Sequence, residues 1–194
     1  MIAFDHLAIA AERLEDADVV EAALGVPLAP GGAHPAFGTH NRLLSLGPGE
    51  YLEVIAADPA APPPGRARWF GLDTFAGPPR PVHWIARADR LDLWPGAGAP
   101  MALSRGAYAW EITVTDAGAP ACGGALPALI RWASAHPAAA LPDRGVRLMQ
   151  LTLRGPAGAL APLAPHLADP RIVIEAGPPG LSAVLSTPRG PVTL

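Results

Sequence analysis

The chain contains no lysine; all 14 of its basic residues are arginine. That absence excludes Schiff-base catalysis and a phosphate-binding P-loop, both of which need a lysine amine. A single cysteine, Cys122, excludes an intrachain disulfide and a thiolate metal cluster. Its setting, Pro120-Ala121-Cys122-Gly123-Gly124, supplies neither a helix N-terminus nor a basic neighbour, so it reads as a bystander thiol. Charge is sparse too: 16% of residues are charged, the net charge is −3 and the pI is near 6.0. Nucleic acid and anionic membrane surfaces are therefore not expected partners. No apolar run approaches the ~20 residues that span a bilayer, and residues 1–10 lack the basic region of a secretory signal. The expectation is a soluble, cytoplasmic protein.

Apolar residues, by contrast, make up 50% of the 194, enough to build a core and too many for a disordered chain. The length suits one compact domain over 1–194 or two tightly fused halves. Twenty-five prolines and 21 glycines cut it into short elements and disfavour a helical bundle. Residues 4–10 read as a strand. Residues 14–24 read as a helix, with Leu14, Ala17, Val20 and Leu24 at helical spacing and Gly25 as the stop. Strands at 41–46 and 51–56 flank the turn at 47–50, and a proline-rich stretch at 58–65 closes the unit.

The pattern then recurs. Residues 81–87 read as a strand, and Ala88-Asp89-Arg90-Leu91-Asp92 stands where the first unit has Ala11-Glu12-Arg13-Leu14-Glu15. Trp94 and Pro95 cut the second helix short, and strands follow at 107–115 and 126–132. A third copy opens at 149–154 and continues through a helix-like 158–168 and strands at 171–175, 181–186 and 191–194. The units span about 1–58, 81–137 and 147–194. Laying the first on the second puts His6 on His83 and Pro59 on Pro137, and hence Glu53 on Arg131. Gln150 takes the histidine position in the third unit. Strand parity places His6 and Ala8 opposite Leu7 and Ile9, and Glu53 opposite Leu52 and Val54. Their polar side chains, with Gln150 and Thr152, are expected to converge in one cup. The fold class is α+β: repeated βαβββ units forming a curved, mostly antiparallel, cup-like sheet.

His6 on the first strand, Glu53 in Tyr51-Leu52-Glu53-Val54-Ile55 and His83 on the second unit's first strand resemble metal ligands of the vicinal-oxygen-chelate superfamily. Gly31-Gly32-Ala33-His34-Pro35, Gly38-Thr39-His40-Asn41, Arg68-Trp69-Phe70-Gly71-Leu72-Asp73 and Trp132 look more narrowly like its glyoxalase-like members. The superfamily holds isomerases, epimerases, ring-opening dioxygenases, thiol transferases and metal-free drug-binding proteins. The resemblance implies a metal-assisted lyase, isomerase or dioxygenase for a small oxygen-rich metabolite. A metal-free protein that binds or sequesters a small molecule is the alternative.

On the metal reading His6, Glu53 and His83 hold Fe, Mn, Ni or Zn. The opposing reading has the histidines hydrogen-bonded within the cup and Glu53 paired with Arg131, which occupies the place of the isomerases' fourth, carboxylate ligand. His40 is the candidate for proton transfer, and Asn41 for binding a ligand carbonyl. Arg105 and Arg131 could clamp a carboxylate or phosphate, and Trp69 could wall the pocket. His34 reads as a loop residue able to join a lid. His136 and His166, beside prolines, read as surface residues. The third unit, with no fourth to complete a second cup, is expected to pack on the cup's edge or to join two copies in a homodimer.

Overall fold

The computed structural model describes residues 1–194, the side chain of Pro95 excepted. The first unit runs through β1 (Ile2–Ala10), a 3-10 turn at Leu14–Asp16, helix α1 (Ala17–Leu24), β2 (Ala29–His34), β3 (Thr39–Gly47) and β4 (Glu50–Ala57). The second comprises β5 (Arg80–Ala88), β6 (Ala99–Arg105), β7 (Tyr108–Val114) and β8 (Ala128–Trp132). These eight strands form one sheet in the order β2-β3-β4-β1-β5-β8-β7-β6. β1 runs parallel to β4, β5 runs parallel to β8, and β1 meets β5 antiparallel. The two units are thus related by a pseudo-twofold axis between β1 and β5. This is the curved, mostly antiparallel α+β sheet that the repeats imply. Strands β2 and β6 are the elements the apolar alternation does not reveal, because both are half-exposed edges.

Burial follows the predicted parity. Leu7, Ile9, Leu52, Val54 and Trp84 face the convex side, where Ala17, Val20 and Leu24 of α1 cover the first unit. Gly25 ends the helix at φ 71°, a left-handed cap that glycine adopts without strain. In the second unit only a 3-10 turn at Pro95–Ala97 forms where the helix would be.

The third unit fills that vacancy. It forms β9 (Arg147–Gly155), β10 (Ile172–Ala176), β11 (Gly180–Thr187) and β12 (Gly190–Thr193), a separate sheet ordered β10-β9-β11-β12. Leu151, Leu153, Ala183 and Leu185 are fully buried in one cluster with Leu7, Leu52 and Trp84. The second sheet therefore packs on the convex back of the first, not on the cup's edge. Gln150 is exposed there and donates to Thr152 at 2.9 Å, so it does not enter the cup. The helix expected at 158–168 does not form either. Turns and a 3-10 turn at Ala164–His166 replace it, since Pro162 and Pro165 remove helical donors. Among the described residues, no helix is long and apolar enough to cross a membrane.

Because the two sheets share one core, they should unfold together. Leu151→Ala is expected to cost about 2–5 kcal/mol, with tryptophan fluorescence and far-UV circular dichroism tracing one coincident urea transition. Two separated transitions would show that the sheets are independent.

Candidate functional site

The concave face carries two clefts separated by one loop. Trp69 and Phe70, in a 3-10 turn, drop into the middle of the cup and line both sides. Phe70 takes a left-handed conformation, φ 60° and ψ 18°, which is strained for a bulky residue. Stacking holds the insert: Phe37 lies 4.0 Å from Trp69 and Trp69 lies 5.1 Å from Phe70, with the ring planes within 7° and 5°. Trp69 Nε1 also donates to Thr39 at 3.2 Å.

The cleft on the first unit's side encloses about 350 Å3 including its open mouth. His6 and Glu53 meet there, with Nε2 3.6 Å from Oε1, and both side chains are almost fully buried. A β-bulge on β1 sets up this corner. The register against β5 slips between Phe4 and His6, so Asp5 leaves the alternation and lies beside His6. Asp5 Oδ1 accepts from His6 Nδ1 at 2.7 Å, which aims Nε2 at the cleft. Asp5 Oδ2 accepts from Trp132 Nε1 at 3.1 Å and His136 Nε2 at 3.2 Å, and Arg87 is 3.4 Å away. Burial would raise the Asp5 carboxyl, but hydrogen bonds from His136 and His6 outweigh it and hold the group well below the usual carboxylate range. Tyr51 stacks on the His6 ring at 4.3 Å, and burial, reinforced by Asp5 and Glu53, pushes its phenol well above the usual value.

Glu53 Oε2 accepts from Asn41 Nδ2 at 2.7 Å. Asn41 Oδ1 in turn accepts from the Gly32 amide at 3.0 Å and from Arg105 at 3.3 Å. Gly31 is required here, since a Cβ would press on the Asn41 carbonyl oxygen at 2.5 Å. Arg105 Nη1 donates to His34 Nε2 at 2.8 Å, and His34 Nδ1 reaches Thr39 at 3.2 Å. His34 is thus buried within the site instead of standing in an exposed loop. Burial first, then the Arg105 charge, push it down to about 3, so it is a neutral acceptor at ordinary pH.

The second cleft, about 340 Å3, belongs to His83. Its Nδ1 donates to the Gly124 carbonyl at 3.2 Å and its Nε2 accepts from the Ala128 amide at 3.1 Å. Burial pulls it down to about 4 despite the Gly124 bond. Register also corrects the fourth position. Ala8 pairs with Glu53 as Ile85 pairs with Ala128, so the counterpart of Glu53 is Ala128, three residues before Arg131. Arg131 lies on the exposed side, bonded to Glu111 and to the Asp89 carbonyl.

The structure therefore gathers His6, Glu53, Asn41, Trp69 and Arg105, and separates His83, Arg131 and His40 from them. His40 falls on the face opposite Asn41, the face on which Arg42 reaches Asp18 and Glu21 beside α1. Sequence reasoning does not find Asp5 or Tyr51, and it reads His136 as a surface residue, whereas His136 is half-buried with Nε2 on the Asp5 carboxylate. A carboxylate within an apolar strand is the signal that could have found Asp5, because parity alone would strand its charge among leucines. A three-donor metal centre of His6, Glu53 and His83 does not fit this arrangement. Both His83 nitrogens are committed to backbone, and among the described residues no three His, Cys, Asp or Glu side chains are grouped to hold an ion.

A family model described as a glyoxalase-like domain matches residues 4–167. A crystal structure of a hypothetical protein from Staphylococcus aureus superposes with a TM-score of 0.53 at 11% identity, over 91% of this chain and 86% of that one. Methylmalonyl-CoA epimerase from Mycobacterium tuberculosis gives a TM-score of 0.44 at 20% identity, over 71% and 91%. No curated protein matches the chain. The first likeness speaks for the fold alone.

The two neutral histidines set a pH dependence. Unfolded, each takes a proton near pH 6.5; folded, His83 resists until about 4 and His34 until about 3. The unfolded state thus binds more protons as pH falls below 6.5, and stability drops by up to ~1.4 kcal/mol per pH unit for each. Asp5 acts lower, its stabilisation complete above its ordinary 3.8 and lost as pH falls beneath that. Urea midpoints measured from pH 7 to pH 4.5 should decline, and His34→Gln and His83→Gln should each flatten the slope. Slopes unchanged in both variants would contradict the assignment.

Proposed function

Because this chain belongs to the glyoxalase-like domain family, whose model covers residues 4–167, we propose that it is an isomerase- or lyase-type enzyme that moves a proton on a small carbonyl-bearing molecule. One observation carries the reading: a histidine and a carboxylate face each other at 3.6 Å at the bottom of an aromatic-walled cleft, each steadied from behind. Glu53 is the base. Asn41 holds Oε2 and leaves Oε1 toward the cleft. His6 is the acid, delivering a proton from Nε2 to the substrate oxygen while Asp5 fixes Nδ1 and stabilises the imidazolium. Abstraction of the proton next to a carbonyl creates an enolate, and protonation of its oxygen at Nε2 removes the developing charge. Trp69, Trp110 and Trp132 exclude water around the pair. No metal-borne step is assigned, because the donor set that would hold an ion is divided between two clefts.

The self-satisfied His83–Ala128 half favours a second reading, a metal-free protein that captures a small molecule without turning it over. One experiment separates the two. A panel of small 2-oxo acids and hydroxyketones is incubated with the protein in D2O, and loss of the carbon-bound proton is followed by NMR. Exchange above the buffer rate, reduced ~100-fold or more by Glu53→Gln, is the expected result. Line broadening without exchange indicates capture, and exchange unaltered in the variant removes Glu53 from the base role. The melting temperature should also stay constant on adding Fe(II), Mn(II), Ni(II) or Zn(II). A rise abolished by the His6→Ala, His83→Ala double variant would restore the three-ligand centre.

A further inference from the structure

The Arg105 guanidinium has an arrangement that the proton-transfer pair does not explain. It is the one arginine lining the His6 cleft, and among the described residues it has no carboxylate within 4.0 Å. Its anchors are neutral: His34 Nε2 at 2.8 Å and Asn41 Oδ1 at 3.3 Å, both reached from Nη1. The stem lies against Gly32, where a Cβ would come within 3.0 Å of Cδ, so the glycine provides its bed. An arginine held by neutral acceptors keeps its whole charge. With Nη1 occupied, the Nε and Nη2 donors make no hydrogen bond within the described residues, and they form the side edge of the fork that matches the two oxygens of a carboxylate. Arg105 also lines a larger outer groove beside Pro30, Tyr108 and Leu141, so it borders both the groove and the cleft.

We infer that Arg105 is the receptor for a ligand carboxylate, and that the cleft takes a small carboxylic acid whose flat or apolar body lies between Trp69, Trp110 and Trp132. Fixed neutrality at His34 supports this, because a protonated His34 could no longer accept from Nη1 and would repel the guanidinium. The inference rests on the same cleft being the ligand site proposed above. It makes a distinct claim, that the substrate is an anion anchored away from the reacting carbon.

Benzoate tests it independently of turnover, since it has a carboxylate and an aromatic body but no exchangeable carbon-bound proton. Isothermal titration at pH 7 should register benzoate and not benzamide. Arg105→Gln should weaken benzoate at least tenfold, while Arg131→Gln, on the exposed side and bonded to Glu111, should leave it unchanged. If Arg105→Gln fails to fold, Arg105→Lys keeps the charge and loses the fork, and should also weaken benzoate at least tenfold. Equal affinity for benzamide, undiminished binding in the folded Arg105 variant, or no benzoate binding to the unaltered protein overturns the assignment. So does inorganic phosphate competing as effectively as benzoate. Failure here with Glu53-dependent exchange intact would leave the proton-transfer reading standing. Benzoate capture by Arg105 without exchange would do the reverse.

Discussion

The buried Asp5 carboxylate is the interaction on which the site's geometry depends. A carboxylate with no exposure is tolerated only when its lone pairs are filled, and four groups from three regions of the chain serve it: His6 beside it, Arg87 on β5, Trp132 at the end of β8, and His136 beyond. Those contacts tie the first strand of one unit to the last strand of the other across the rim. They also set the His6 tautomer. With Nδ1 committed to Asp5, Nε2 is the nitrogen available to the cleft. His136 is set in the same way, because its Nδ1 accepts from the Ala138 amide and Nε2 is left to donate to Asp5. Removing any of these partners leaves an anion under-solvated in low dielectric, which is costly well beyond one ordinary hydrogen bond.

From that corner outward the two units diverge although their backbones correspond. The first has a polar pair whose outer atoms face open space. The second has a histidine closed on its own backbone and an alanine in the carboxylate's place. The Trp69–Phe70 insert makes the difference spatial by dividing the cup, and it sustains a left-handed Phe70 because stacking on Trp69 and burial over-determine its position. The convex side shows a matching asymmetry. Helix α1 covers one unit and the C-terminal sheet covers the other, so the third unit serves the core and not the cleft.

Much of this was legible in the sequence wherever a strand kept strict alternation. The opposition of Glu53 to Leu52 and Val54, and of His6 to Leu7, needed only period two and an apolar core. Asp5 announces itself only as a carboxylate in need of partners; its place beside His6 is not legible from alternation, because a bulge changes the parity of the residues around it. Arg131 was misplaced for a related reason. Pro137, on which the two units align in sequence, lies beyond the end of β8, whereas pairing is decided within the strand, where Ala128 sits beside Ile85. Alternation sets His40 and Asn41 on opposite faces, and Leu44 and Leu46 in the convex core assign His40 to the side away from the cleft. His34 lay in a segment too rich in glycine to read as a strand, and those glycines are what allow Asn41 and Arg105 to approach.

Curvature brings the remaining pieces together. An eight-stranded open sheet presents two edges, β2 and β6, and exposed edges invite pairing with other chains. Here the sheet curls until Arg105 at the end of β6 reaches His34 on β2 and Asn41 on β3. A carboxylate could have closed the same gap with a stronger ion pair, but it would have neutralised the guanidinium. Closing it with a neutral imidazole and an amide joins the edges and keeps a positive charge on the wall of a cleft whose floor is acidic at Glu53. The two charges are linked through Asn41, which accepts from Arg105 and donates to Glu53. One amide thus positions the guanidinium on edge strand β6 and the carboxylate on β4 together, so neither is oriented independently of the other.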